Sequence, residues 1–348
     1  MKYVVRLVLA FIMGFIIRMP VVAADGPQTL DIDNLPEWRM TTSSDSCKLL
    51  LSDSPEMAAD EGILYQDEVK GNVRLFFYHV NAAATAKRMA VVLENSGPET
   101  AHVTVRQYGL GGPGYIWMEV GKEAMTAYLH GSAPYQLAVP PRSGVPLSAD
   151  ISNTAVLPNM LLNGIFDFAT DRPVTVKVIM MPLFADSVDF ARQAKVLPSD
   201  EYHLRGTFEG ANRRLVPIRT YDTVLDGVMG LTLADNLIDP YLKGIDATDG
   251  SPVVDYGNYG VVYRIFLPSQ GRKIAYYLTP LGGDYAGAIK IKYGNTDRGP
   301  VATPPGRISF GDNEYALLGT FDSNNSLWLT FSPPGASNLP VKLIIMPQ

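Results

Sequence analysis

Four aspartates stand where chain composition favours loops. Asp246, Asp249 and Asp255 lie in a Gly-containing stretch, and Asp322 precedes Ser323-Asn324-Asn325. Hard oxygen donors on loops suit calcium, so these four are the candidate metal ligands, although their spacing matches no standard calcium loop. Asp and Asn also build turns by bonding their own backbone, which asks for no ion at all. No other cofactor is expected. Two carboxylates able to cleave a glycosidic bond need only to be close in the fold, and spacing along the chain does not test that.

Other chemistries lack a foothold. Gly109 to Gly114 spells GxGxxG after a strand. A dinucleotide loop would open a helix directly and meet an acid about 20 residues on, and here Pro113 sits inside the loop and no Asp or Glu occurs from Ala124 to Ser148. A glycine-rich turn that lets backbone segments pack closely is the reading we take. Gly121-Lys122 is followed by Glu123, where a phosphate loop needs Ser or Thr. His79, His102, His130 and His203 share no metal spacing, GxSxG is absent, and Cys47, the single cysteine, reads as a buried strand residue. Tyr115, Trp117 and Tyr128 are the candidate ligand-binding residues, because flat aromatic side chains anchor sugars and protein partners, or else pack as a small local core.

The elements that would carry these residues are repeated. VRLFFYHVN from Val73, KRMAVVL from Lys87 and VTVRQYG from Val103 are echoed by YGVVYRIFL, RKIAYYL and IKIKYG. Tyr78 meets Tyr263, Lys87-Arg88 meet Arg272-Lys273, and Tyr108-Gly109 meet Tyr293-Gly294, at a constant spacing of 185 residues. Gly164-Ile165-Phe166-Asp167 is matched with Gly319-Thr320-Phe321-Asp322, and VKVIMMP ending at Pro182 with VKLIIMP ending at Pro347. Period-two alternation places Phe76, Tyr78 and Val80 toward a core, like Val261, Tyr263 and Ile265. The third strand aligns only after a one-residue slip, which a bulge in one copy would produce. Between Gly109 and Gly164 the first copy spends about 30 residues more than the second does between Gly294 and Gly319. That insertion contains the aromatic candidates and a short helix expected over 120–129, and insertions on a β scaffold are where function tends to sit.

Length and composition agree. A chain of 348 residues suits two domains, and Gly 31, Pro 26 and Tyr 18 suit many strands and turns. Residues 1–24 have the cationic start, apolar run and small-residue end of a secretory signal peptide, with Arg18 cutting the run short for a membrane span. Its removal takes Lys2, Arg6 and Arg18 and no acid, so net charge goes from −6 to −9, a poor balance for binding nucleic acid. With Cys 1 there is no internal disulfide. Asp186-Ser187 can cap a short helix running through Val196, ended by Pro198.

SDSPE (Ser52 to Glu56), GILYQDEVKG (Gly62 to Gly71), YHVN (Tyr78 to Asn81), GLGGPG with VGKEA, and HLRGTF (His203 to Phe208) resemble a group of uncharacterised secreted, Firmicutes-type bacterial β-rich proteins. Relatives of that group are often labelled copper amine oxidase-like through an appended stalk domain, and no such domain is recognisable in this sequence. The resemblance implies export and a β-rich fold and supplies no catalytic residue. An amine oxidase needs TxxNY[DE], and Asp255-Tyr256-Gly257-Asn258-Tyr259-Gly260 lacks both its Thr and its acid.

The expectation is therefore all-β: two tandem antiparallel β-sandwich domains, jelly-roll or Ig-like, related by internal duplication. The segments are a signal peptide at 1–24, a polar leader at 25–46, a first domain at 47–185 with the insertion at 109–135, a helical linker at 186–204 and a second domain at 205–348. The expected role is a secreted, extracellular or cell-wall-associated, non-catalytic binding or structural module. Its partner would be a cell-wall glycan or an envelope protein, with no nucleic acid and no transmembrane segment after signal cleavage. The alternatives are a carboxylate-dependent envelope glycan hydrolase and a subunit that self-associates through exposed strand edges.

Overall fold

Alternating and fully apolar runs such as KRMAVVLEN and VKLIIMP become strands buried on one or both faces, and β-structure dominates the computed structural model, which describes residues 30–348. The expected signal peptide lies outside the described residues. The main elements are β1 (Met40–Ser44), β2 (Lys48–Ser52), β3 (Gly62–Asn81), β4 (Lys87–Asn95), β5 (Ala101–Gly114), α1 (Trp117–His130), β6 (Tyr135–Val139), β7 (Ser143–Pro146), α2 (Ala149–Asn153), β8 (Leu161–Pro182) and α3 (Ser187–Gln193). There follow β9 (Arg205–Glu209), β10 (Asn212–Pro217), β11 (Met229–Leu233), β12 (Val262–Phe266), β13 (Ile274–Pro280), β14 (Gly287–Tyr293), β15 (Thr296–Thr303), β16 (Ala316–Phe321), β17 (Leu327–Phe331) and β18 (Val341–Pro347). Asp31–Gln348 form one compact unit.

In the amino-terminal half, β3 and β8 are long antiparallel partners that serve two layers, bending where their register shifts between Thr170 and Val174. One layer runs β9-β2-β3-β8-β5-β6, and the other joins the start of β3 and the end of β8 to β4 and β7. The carboxy-terminal half has layers β1-β10-β12-β17-β14-β15 and β11-β18-β13-β16. The pairing order is the same in both, down to the longer parallel pair of each, β2 with β3 and β10 with β12; each half also has a two-residue parallel pair, Met57–Ala58 with the end of β3 and Tyr221–Asp222 with Ser269–Gln270.

The halves exchange their leading strands. β1 precedes β2 yet pairs with β10, while β9 precedes β10 yet pairs with β2. The stretch expected to be a polar leader thus ends in a strand of the carboxy-terminal sheet, with Trp38 buried behind it. The small hairpin Lys243–Ile245 and Pro252–Val254 also crosses over, extending the amino-terminal sheet beyond β9.

Register corrects two alignments made from sequence. Gly164 lies on β8 between β3 and β5, whereas Gly319 lies on β16, whose one partner is β13, so the segment in the place of Gly164 is β17. Phe76, Tyr78 and Val80 are buried against the carboxy-terminal half, and the interior of their own half is filled by Val73, Leu75 and Phe77. Both faces of β3 are covered, which period-two alternation cannot reveal. The slip in the third repeated strand has its bulge: Val105 pairs with Phe168 and Gln107 with Asp167, leaving Arg106 extra.

Helix α1 is longer than the stretch expected over 120–129. Val120, Gly121, Ala124, Met125, Tyr128 and Leu129 form its buried face at helical spacing. The glycines of the GxGxxG stretch end β5 rather than turning, because the helix lies directly on them. A Cβ on Gly109 would stand 2.2 Å from the carbonyl oxygen of Ala124, and one on Gly111 2.0 Å from that of Val120. Gly121 meets Gly335 of the other half in the same way, at 1.9 Å from its carbonyl oxygen. The insertion is thus a wedge in the seam between halves, and its removal would expose that seam. Helix α3 starts at an Asp186 cap that accepts from Val188 and Asp189 amides, and it covers Ala90, Val92 and Ile179. Among the described residues no helix is long and apolar enough to cross a membrane.

Candidate functional site

The loop after β2, Asp53 to Glu56, turns into the seam between the halves. It is held from a distance of about 145 residues along the chain: one oxygen of Asp200 accepts from Ser54 Oγ at 2.8 Å and the other from the Glu56 amide at 2.8 Å. His79, buried under the loop, lies 2.8 Å from Ser52 Oγ and 2.9 Å from the Pro55 carbonyl. Because that carbonyl can only accept, Nδ1 carries the proton and Nε2 accepts from the serine. Burial holds the imidazole at about 4, below its ordinary value, so it is neutral. Arg205 of the exchanged strand β9 pairs with Asp246 at 2.7 Å and donates to the carbonyls of Leu197 and Leu64, tying β3 to the segment before β9.

Above this loop is a pocket of about 330 Å³. Asp53 and Glu56 face Tyr78 from β3, Trp117 from the first turn of α1, Tyr259 from the loop before β12, and Asn338 from the loop between β17 and β18. Asp53 is 8% exposed and its Oδ1 has no hydrogen-bond partner. Burial, reinforced by the nearby charges of Glu56, Asp200 and Asp255, raises its carboxyl well above the usual range. Glu56 is raised too, by burial and then by Asp200. The Trp117 indole donates to the Asn159 carbonyl at 3.2 Å, and the Tyr259 hydroxyl donates to the Ser337 carbonyl at 2.7 Å, so both rings are fixed in place. The pocket offers a carboxyl of raised proton affinity, a second acid, an amide and two part-exposed aromatic rings, Trp117 and Tyr259, with the buried Tyr78 at its wall, a set suited to hydroxyl-rich ligands.

A larger groove of about 730 Å³ runs along the outside of α1. Two of its charged groups are already engaged: Glu123 accepts from the Gly112 amide, and Lys122 donates to the carbonyls of Pro304 and Arg307 at 2.7 Å.

Of the aromatic residues singled out from sequence, Trp117 lines the pocket and Tyr115 is exposed on the approach to α1. Tyr128 is buried in the seam, where its hydroxyl donates to Asp167 at 2.8 Å and accepts from Arg74 at 3.0 Å. The four aspartates are employed separately. Asp246 is paired with Arg205, and Asp249 accepts from the Ser251 amide. Asp255 is buried, accepts from the Tyr259 amide and leaves Oδ2 unpartnered, while Asp322 lies exposed 3.6 Å from Lys273. Among the described residues no group of three or more His, Cys, Asp or Glu is placed to hold a metal. Cys47 is buried, and burial pushes its thiol up to about 11.

Asp53, Glu56, Tyr78, Tyr259 and Asn338 were not singled out from sequence. Ser52-Asp53-Ser54-Pro55 reads as a stop after a strand, and the one signal was its place in the SDSPE stretch carrying the family resemblance.

No family model matches the chain, and no curated protein does. Among solved structures, the chain is similar to the secreted serine protease VesC from Vibrio cholerae, at 9% identity and TM-score 0.18, over 92% of this chain and 53% of that one. It thus spans about half the length of that protease. It is similar to the CUB1-EGF-CUB2 domains of rat MASP-1 at 10% identity and TM-score 0.22, over 81% of this chain and 97% of that one. PNGF-II matches at 9% identity and TM-score 0.18, over 89% of this chain and 66% of that one. At these values none of the likenesses carries an argument about fold or activity.

Proposed function

We propose that this protein is an exported, non-catalytic binding module of the cell envelope that takes a glycan in the pocket at the seam. One observation carries the reading: Trp117, Tyr78 and Tyr259 line the same pocket as Asp53 and Glu56. Sugar rings stack on aromatic faces through their C–H edges, and their hydroxyls bond to carboxyl and amide groups beside those faces. Export rests on the character of residues 1–24, and a β-rich envelope role agrees with the group that SDSPE and GILYQDEVKG resemble.

We also infer that the two halves are copies of one sandwich. The matched pairing order, the longer parallel pair in each and the equivalent positions of β1 and β9 support a duplication in which each copy lent its first strand to the other.

The second reading, a glycan hydrolase, draws on the raised carboxyl of Asp53, since a general acid must hold its proton near neutral pH. One experiment separates them. Residues 25–348 are titrated with soluble cell-wall oligosaccharides in a calorimeter, and released fragments are followed in parallel. Saturable binding without fragments, weakened at least tenfold by Trp117→Ala, is the expected result. Fragments that vanish in Asp53→Asn would move the protein to the hydrolases. Binding unaltered in Trp117→Ala would take the glycan out of this pocket.

A further inference from the structure

A second surface, remote in character from the acidic pocket, lies on the outer face of the carboxy-terminal sheet. Register places Arg214 beside Arg264, Arg264 beside Thr330, and Thr330 beside Lys290, a row that crosses β10, β12, β17 and β14. The next row two residues along is Phe266, Trp328, Lys292 and Asp297. Apart from Phe266, these side chains line a groove of about 380 Å³.

Four cations on one patch are unexpected in a chain of net charge −6. Lys290 pairs with Asp297 at 3.0 Å, but among the described residues Arg214, Arg264 and Lys292 stand in no ion pair. Like charges on directly opposed strand positions repel and destabilise the sheet. The guanidinium of Arg214 is nonetheless held in place, 5.4 Å from the centre of the Trp328 ring, which stacks at 4.7 Å on Phe266. An ordered set of four cations, three of them in no ion pair among the described residues, is arranged for anions supplied from outside. Neighbouring strands are about 4.8 Å apart and alternate residues along a strand about 6.8 Å. The row therefore matches negative charges repeated every few ångströms along an extended chain, and the open groove lets such a chain pass across the strands.

The contrast between halves narrows the occupant. The face in the same position of the amino-terminal sheet presents Phe76, Tyr78, Val80 and Ile165 and is covered by α1 and the other half. Its basic counterpart is not an apolar face awaiting a second copy, since two such faces would repel. We propose that this face binds an extended anionic polysaccharide, one bearing carboxylate, sulfate or phosphate groups on successive sugars. The two arginines hold anions bidentately and Lys292 holds the next charge along.

The test is affinity electrophoresis of residues 25–348 in gels containing polygalacturonate, dextran sulfate or neutral dextran. Retardation by both anionic polymers, weakening as salt rises from 20 to 300 mM (about a fourfold fall in screening length), and none by dextran, is expected. Arg214→Ala/Arg264→Ala should lose at least tenfold in apparent affinity while its urea unfolding midpoint stays put or rises. Lys70→Ala, an exposed cation elsewhere, should change nothing. Retardation by the anionic polymers equal in the double variant, or neutral dextran retarding the protein as strongly as they do, overturns the assignment. Tighter retention by single-stranded DNA or by vesicles of anionic lipid would assign the face to another polyanion and overturn it too. Arg214→Ala/Arg264→Ala leaves every residue of the seam pocket in place, so a loss of polyanion retention in that variant reports on the basic face alone, and the two proposals fail or stand separately.

Discussion

Arg74 and Asp167 form a two-point ion pair in the seam, Nε to Oδ1 at 2.6 Å and an Nη to Oδ2 at 2.8 Å. The same guanidinium donates to the Ala211 carbonyl at 2.8 Å and to Asn212 Oδ1 at 2.9 Å, so one buried arginine of the amino-terminal half fastens the start of the carboxy-terminal half. Removing its carboxylate leaves a cation without a counter-charge in a dry site. Asp167→Asn should destabilise by about 3 kcal/mol, toward the lower end for a broken buried pair because Asp167 is partly exposed. Urea unfolding checks this; a loss below about 1 kcal/mol would show that the neighbouring carbonyls and Tyr128 suffice.

Gly121→Ala tests the wedge. Its new Cβ would sit 1.9 Å from the Gly335 carbonyl oxygen, and backbone can yield only by moving α1. Overpacking of this kind is expected to destabilise by roughly 1–3 kcal/mol, and thermal unfolding should show it. An unchanged midpoint would mean that α1 does not bear on the loop at Gly335.

His79 sets an acid limit on stability. Its folded value near 4 lies below the ordinary 6.5. The stabilisation is therefore present above pH 6.5 and is lost as pH falls from 6.5 toward 4, where only the unfolded chain takes up the proton. Between pH 7 and 5 this amounts to about 2 kcal/mol. His79→Gln should flatten that part of the urea-midpoint profile; a profile as steep as wild type would place the acid sensitivity elsewhere.

Asp53 works in the opposite sense. A carboxyl raised by burial is stabilising while protonated, and that contribution is lost as pH rises through its folded value. Asp53→Asn removes the charge, so at pH 7.5 the variant should be more stable by about 0.5–2 kcal/mol. Glycan binding would fall in the same variant. A destabilised Asp53→Asn protein would show that the carboxylate has partners in solution that the fold does not provide.

Cys47 should be inert to thiol reagents in the folded protein, because burial keeps it protonated at about 11. Ellman titration should count no thiol in buffer and one in urea, and rapid labelling in buffer would require an opening of the β1–β2 loop.

The sequence by itself determined that the chain is β-rich and where many of its strands lie. Alternation and strand order are local properties, set by side chains pointing to opposite faces. It also marked the glycines of Gly109 to Gly114 for close packing and the Asp186 cap of α3, though the helix stops at Gln193 rather than Val196. What it could not determine is which face meets which partner. β3 is apolar on both faces because one lines its own half and the other meets the opposite half, and a one-residue slip in alignment swaps the two. The exchange of β1 and β9 is likewise absent from any local pattern, since either strand would pair equally well with β2 or β10 by propensity alone.

Tertiary structure alone assembled the candidate sites. Asp53 and Tyr259 are about 200 residues apart and meet because the halves close on α1, and Arg214, Arg264 and Lys290 form one row only when four strands are placed side by side. The acidic pocket lies in that seam and the basic row on the outer sheet face, because burial sets the proton affinity of one and strand spacing the charge pattern of the other.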